Sequence, residues 1–235
     1  MGPVTVLHRD EHLLVVDKPP GLLAQPDRTG DPDVVSRGKE MLADTADGTP
    51  FLGLVHRLDR PSSGIMALAR SSEAARHLSR QFRERLVEKR YVVVVEGTLR
   101  GIGAWTDYIA KTDRQPRLVD PDDPDGKRAE LNWQVLESNG DRTLLQVTLQ
   151  TGRSHQIRLQ AASRGHPVVG DDRYGASGAP MKRAIALHHV LLRVDHPARP
   201  RRETFVAAPP SHWSEILTDA MDTTLRRMLD REQPG

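Results

Sequence analysis

The stretch Val55-His56-Arg57-Leu58-Asp59-Arg60-Pro61-Ser62-Ser63-Gly64 sets one acid, Asp59, between two arginines, Arg57 and Arg60. Flanking cations favour the ionised form of a carboxylate. Held in that form, the group is a poor general acid, but it can act as a nucleophile or as a base toward a carbon acid. A plain structural salt bridge would use the same residues. A second run, Thr151-Gly152-Arg153-Ser154-His155-Gln156-Ile157-Arg158, gathers Arg153, His155 and Arg158 just after a glycine suited to a tight turn. A helix starting directly there, over Ser154 to Ala162, would offer free backbone donors to an anion. It would also put Ser154 and Arg158 on one face, with Arg158 able to reach a partner such as Asp59. Tyr91 opens the β-branched run Tyr91-Val92-Val93-Val94-Val95. An aromatic in that place belongs to the core or to a site beside the acid-bearing loop.

Several other chemistries find little support. The chain has no cysteine, which removes disulfides, thiolate metal sites and cysteine nucleophiles together. The pairs His188-His189 and His8-His12 invite a zinc reading, but adjacent histidines on a strand point to opposite faces and no H-E-x-x-H spacing occurs. Glu84, Glu88, Glu130 and Glu137 lie in patterns that look solvent-facing, with no apolar setting to make a raised general acid. No Walker lysine or Rossmann glycine pattern is present. The basic side chains are 28 Arg against 6 Lys at a net charge of +2. Arginine is the better residue for bidentate phosphate contacts and for stacking on bases, so the composition allows nucleic-acid binding.

The elements that must position these groups are legible from hydrophobic spacing. Gly53-Leu54-Val55 and Ile65 to Ala69 flank the Asp59 segment as buried strands. Val4 to Leu7 and Leu13 to Val16 read as earlier strands, the second stopped by Lys18-Pro19-Pro20-Gly21. Asp31 to Asp33 opens a short helix bearing Val34, Val35, Met41 and Leu42, and Asp44 to Pro50 is a loop. Ser71 or Ser72 caps a helix with Ala75, Leu78, Phe82 and Leu86 along one face. Its other positions carry Arg76, Arg80, Arg83 and Arg85, which a solvated face explains without any ligand. Tyr91 to Val95 is a strand buried on both sides. Trp105 to Ala110, Ala129 to Leu136, Thr143 to Leu149, Ile185 to Val194 and Thr204 to Val206 supply further strands, with a polar turn-rich connection from Asp120 to Gly126. Pro209-Pro210-Ser211 introduces a C-terminal helix over about 211–229. Strands outnumber helices without βαβ alternation, so the class is α+β around a large mixed or antiparallel sheet flanked by helices.

Together these residues resemble the RluA-type family of RNA pseudouridine synthases. H-R-L-D-R-P-S-S-G at 56–64 is similar to the family's catalytic motif, with Asp59 as its aspartate. Glu88-Lys89-Arg90-Tyr91 and its valines resemble the segment that supplies the active-site tyrosine. Gly152 to Arg158 is similar to the third signature, whose final arginine, Arg158, would pair with the aspartate. Lys18-Pro19-Pro20-Gly21, Gly165 to Asp171, Tyr174-Gly175 and Leu187-His188 match as well, in the family's order, over about Val4 to Trp213. Departures are Pro61-Ser62, Gln160 where a histidine is common, and Asp172-Arg173 before Tyr174.

The resemblance implies isomerisation of uridine to pseudouridine in structured RNA, rRNA or tRNA, in a central RNA-binding cleft. Asp59, Tyr91 and Arg158 would carry the reaction. Arg57 would prop the gap left by a flipped-out base, and Arg60, Arg153 and His155 would join it in binding RNA. No cofactor and no metal are implied. One catalytic domain is expected over 1–235, with its core at about 4–213 and no separate N-terminal RNA-binding domain. No apolar run approaches the roughly 20 residues of a membrane span, and Met1 to Val4 lacks the pattern of a secretory signal. A cytoplasmic monomer is expected.

Overall fold

The computed structural model describes residues 3–43, 50–111, 115–177 and 183–233. In chain order the strands are β1 (Thr5–Arg9), β2 (Leu13–Lys18), β3 (Gly53–Leu54), β4 (Ser63–Ala69), β5 (Glu88–Glu96) and β6 (Ile102–Lys111). They continue with β7 (Pro116–Val119), β8 (Lys127–Ser138), β9 (Arg142–Leu149), β10 (Leu187–Asp195) and β11 (Arg202–Val206). The helices are α1 (Val34–Ala43), α2 (Ser72–Arg83), α3 (Gln156–Ala162) and α4 (Asp219–Glu232). Eleven strands in a mixed sheet and four α-helices among the described residues make the expected α+β class. The described chain falls into two compact units, one of residues 1–89, 189–210 and 232–235, the other of residues 90–188 and 211–231.

In the first unit β2 pairs antiparallel with both β1 and β4, and its register sets Lys18 opposite Gly64 and Leu13 opposite Ala69. The Asp59 segment therefore feeds β4 at the Lys18 end of β2. Every residue of β4 is buried, and Ile65, Ala67 and Ala69 share a core with Leu13, Val15 and Leu78. Ser71 caps α2 by accepting from the backbone N–H of Ala74, a contact that typically contributes about 1 kcal/mol. Ala74 and Leu78 turn inward, while Arg76, Arg80 and Arg83 are exposed. The helix stops before Leu86, expected on its apolar face, because Arg85 turns left-handed at φ 61° and the Leu86 N–H bonds back to the Gln81 carbonyl. Leu86 is consequently 50% exposed. Asp33 caps α1 through the N–H of Ser36, as the acidic start of that segment implied. The loop expected at Asp44 to Pro50 lies outside the described residues, Pro50 apart.

In the second unit the strand order is β5-β9-β8-β6-β7, with every neighbouring pair antiparallel. Tyr91 to Val95 are all buried, as their unbroken β-branched pattern required. β7, which pairs with the end of β6, is an element that Pro116 and its short length concealed. The helix after Gly152 begins at Gln156 instead of Ser154, because His155 adopts φ 53° and breaks the helical path. Ser154 and Arg158 therefore do not share a helical face. Residues Ser211–Glu215 form a 3-10 turn around buried Trp213 and α4 starts only at Asp219, so the single helix expected over 211–229 is two elements. No described helix is long and apolar enough to cross a membrane.

Candidate active site

Asp59 to Ser62 is a turn closed by its own polar groups, the Ser62 N–H and hydroxyl both donating to the Asp59 carbonyl at 3.2 and 2.9 Å. Lys18 holds it from the interior. The Lys18 ammonium, fully buried, donates to the carbonyls of Pro19, Leu22 and Arg60 at 3.0, 2.9 and 3.2 Å. Burial pushes its pKa down to about 7, opposed by the nearby carboxylates of Asp59 and Asp17 and reinforced by Arg60. Burial conversely raises Asp17 to about 6. Arg60 is committed to the protein, with Nε donating to the Gly21 carbonyl at 3.1 Å and Nη2 pairing with Asp31 at 2.6 Å. It ties the Lys18-to-Asp31 segment to the turn. Arg57 is exposed beside Asp59.

The exit of the loop is fixed by close packing. Gly64 lies at φ 115°, and a Cβ there would run into the backbone of His189, so only glycine fits. His189 in turn donates from Nδ1 to the Ile65 carbonyl at 2.7 Å. Its pKa is pushed down to about 4, chiefly by burial. His56 accepts the Ala67 N–H at Nε2 and stacks on Phe82, with ring centroids 4.5 Å apart and planes 16° from parallel. Burial, then the charges of His189 and Lys89, hold its pKa well below the usual value, which agrees with an Nε2 that must stay an acceptor.

In the second unit Gln156 organises the Thr151 to Arg158 turn. Its side-chain oxygen accepts from the Thr151 hydroxyl and the Arg153 N–H at 2.7 and 3.0 Å, and its amide donates to the Glu130 carbonyl at 3.0 Å. Those bonds occupy donors that an anion cradle would need. Arg153 is drawn against β8, Nε donating to the Arg128 carbonyl at 3.0 Å. Arg158 is buried in a bidentate pair with Asp171, at 2.6 Å from Nε and 2.9 Å from Nη2. Its guanidinium carbon lies 4.9 Å from the centroid of the Tyr174 ring. Nη1 faces His155 Nδ1 at 3.3 Å, and the Tyr174 hydroxyl meets the same nitrogen at 2.8 Å. Tyr91 stands buried at the start of this unit's β5, opposite Val147.

A family model described as RNA pseudouridylate synthase matches residues 12–163, a span that contains Asp59, Tyr91 and Arg158. This chain belongs to that family. Within it, an RNA pseudouridine synthase of Synechocystis sp. is 33% identical over 224 residues, covering 92% of this chain and 68% of the relative. The ribosomal large subunit pseudouridine synthase C of Vibrio cholerae is 33% identical over 225 residues, covering 91% and 68%. The ribosomal large subunit pseudouridine synthase D of Xylella fastidiosa is 34% identical over 229 residues, covering 92% and 69%. Among solved structures, human RNA pseudouridylate synthase domain containing 4 superposes with a TM-score of 0.72 at 24% identity, covering 94% of this chain and 93% of that one. That last likeness concerns the fold. Pseudouridine synthases are isomerases, and the RluA-type resemblance drawn from the motifs stands with these relatives.

The motif residues are divided between the two units. Asp59, Arg57 and Arg60 lie in the first unit, and Tyr91, Arg153, His155 and Arg158 in the second. The structure brings His155 and Arg158 together, and it turns Arg60 and Arg153 toward protein carbonyls. Four residues that hold the site had no role assigned from sequence: Lys18, Gln156, Asp171 and Tyr174. All four stood in matched segments, Lys18-Pro19-Pro20-Gly21, Gly152 to Arg158, Gly165 to Asp171 and Tyr174-Gly175, which was the available signal. Among the described residues no group of three or more histidines and carboxylates is placed to hold a metal ion. His8 and His196 instead share the Asp10 carboxylate at 3.0 and 2.8 Å.

Proposed function

We propose that this chain isomerises uridine to pseudouridine in structured RNA, ribosomal or transfer RNA, with Asp59 as the essential catalytic residue. The observation that carries the reading is the family match over 12–163, which includes the turn presenting Asp59. In the reaction the bond from the ribose carbon to uracil N1 breaks and one to C5 forms, while C5 loses a proton and N1 gains one. Atoms and electrons balance within the substrate, so the chemistry calls for no cofactor. The base must leave its stack, and Arg57, exposed next to Asp59, is suited to the gap it leaves. Tyr91 would stack on the uracil and assist loss of the C5 proton. Arg158 would stabilise the Asp59 carboxylate, with Asp171 setting its orientation. Names of the Vibrio and Xylella relatives favour ribosomal RNA of the large subunit as the target. The reading is of one catalytic domain over 1–235, working in the cytoplasm as a monomer around a central RNA-binding cleft.

The test is Asp59→Ala. Pseudouridines are mapped in total RNA from cells with and without the gene, and the purified protein is then assayed on the RNA that differs. The variant should form no pseudouridine while binding that RNA within a few fold of the parent. Isomerisation that survives the substitution would overturn the assignment.

A further inference from the structure

We propose that the outer face of α2 is an RNA-backbone contact surface leading away from the Asp59 loop, with Arg76, Arg80, Arg83 and Arg85 as its phosphate ligands. The inference rests on the reading of RNA as substrate and adds where the strand flanking the target runs. Arg76, Arg80 and Arg83 recur at the spacings that place side chains on one helix face, and all of them, with Arg85, are exposed. Among the described residues none of these four forms an ion pair, although Glu73 and Glu84 belong to the same segment. Several exposed arginines elsewhere are neutralised, Arg128 by Glu130, Arg201 by Glu203, Arg202 by Asp195 and Arg226 by Asp222. Like charges at these intervals cost a helix stability, so the fold gains nothing from the stripe that uncharged polar residues would not give.

Position ties the stripe to the reaction. Phe82, between Arg80 and Arg83, stacks on His56, three residues before Asp59. The C-terminal end of α2 is thus adjacent to the catalytic loop, and the stripe extends about 10 Å outward from Arg83 to Arg76. That length meets more than one phosphate. Arg85 stands in a left-handed position at the helix end where glycine is favoured, and keeps its side chain there. Burial, and after it the charge of Arg85, pushes down the pKa of half-buried Lys89, so positive charge gathers at this end. A polyanion is the partner that such a face fits, and planar guanidinium groups bind phosphate in bidentate fashion.

The experiment titrates a fluorescently labelled stem-loop RNA, with uridine in the loop, against the full chain at a series of salt concentrations. Arg76→Gln/Arg80→Gln/Arg83→Gln should bind about tenfold or more weakly, and its slope of log affinity against log salt should fall by about 2 to 3. Arg85→Gly should lower the slope by about 1 while melting no earlier than the parent, a pairing of effects that a structural role cannot produce. Arg226→Gln, on α4, serves as the control and should leave the slope unchanged. A triple variant with parental affinity and slope would overturn the proposal, as would an equal loss per residue at Arg226. A parent protein that shows the full slope yet isomerises no uridine would sink the proposed function and leave the stripe standing. Loss of isomerisation in Asp59→Ala beside unchanged stripe variants would do the reverse.

Discussion

The turn bearing Asp59 and the turn bearing Arg158 are fastened by opposite means. The first is gripped through its backbone by a buried cation, since Lys18 donates to the Arg60 carbonyl. The second is gripped through side chains, with Gln156 filling the turn and Asp171 clamping the guanidinium itself. A grip on carbonyls fixes the main-chain path through the Asp59 turn. Fixing Arg158 by its own head group commits two of its nitrogens and sets its direction.

The difference can be broken first at Asp171. Asp171→Asn leaves a guanidinium buried without its carboxylate, and urea denaturation should show a loss of about 3–5 kcal/mol. A smaller effect is expected at Lys18, whose replacement by Met leaves three carbonyls, that of Leu22 buried, short of a donor, at about 1–3 kcal/mol. Lys18 also sharpens the comparison through pH. Its folded pKa of about 7 lies below the unfolded value, so between those two values the unfolded chain binds more protons and parental stability rises with pH. Lys18→Met should flatten that rise above pH 7 in thermal melts, whereas Gln156 does not titrate and its replacement should leave the slope in place. The smallest effect belongs to Asp31→Asn, because the Arg60 to Asp31 pair is 30% and 37% exposed. Denaturation should register at most about 1 kcal/mol. A loss there as large as at Asp171 would erase the contrast between the two turns.

What was legible beforehand follows from the range of the interactions. The valines after Tyr91 announced a buried strand, and Ser71 before an amphipathic run announced a helix start, because burial pattern and capping are local. The end of α2 was misplaced because Arg85 takes a conformation usually reserved for glycine, which its side chain does not advertise. The start of α3 was set too early for the same reason at His155. Asp59 and Arg158 could be singled out from motif and charge. Lys18 stood in a matched segment but its task did not show, since a lysine beside two prolines reads as a strand end, and its burial depends on carbonyls at Leu22 and Arg60. Asp171 stood 13 residues from the arginine it clamps.

The contact of Gly64 with the His189 backbone bears on how this loop tolerates change in length. Its C-terminal boundary is pinned to a neighbouring main chain with no room for even a methyl group, so an inserted or deleted residue cannot be absorbed there. Any such alteration has to be taken up before the Asp59 turn, on the side of His56 and Arg57. Efforts to redirect the enzyme by loop grafting should therefore keep the junction at Gly64 and vary the approach to the acid.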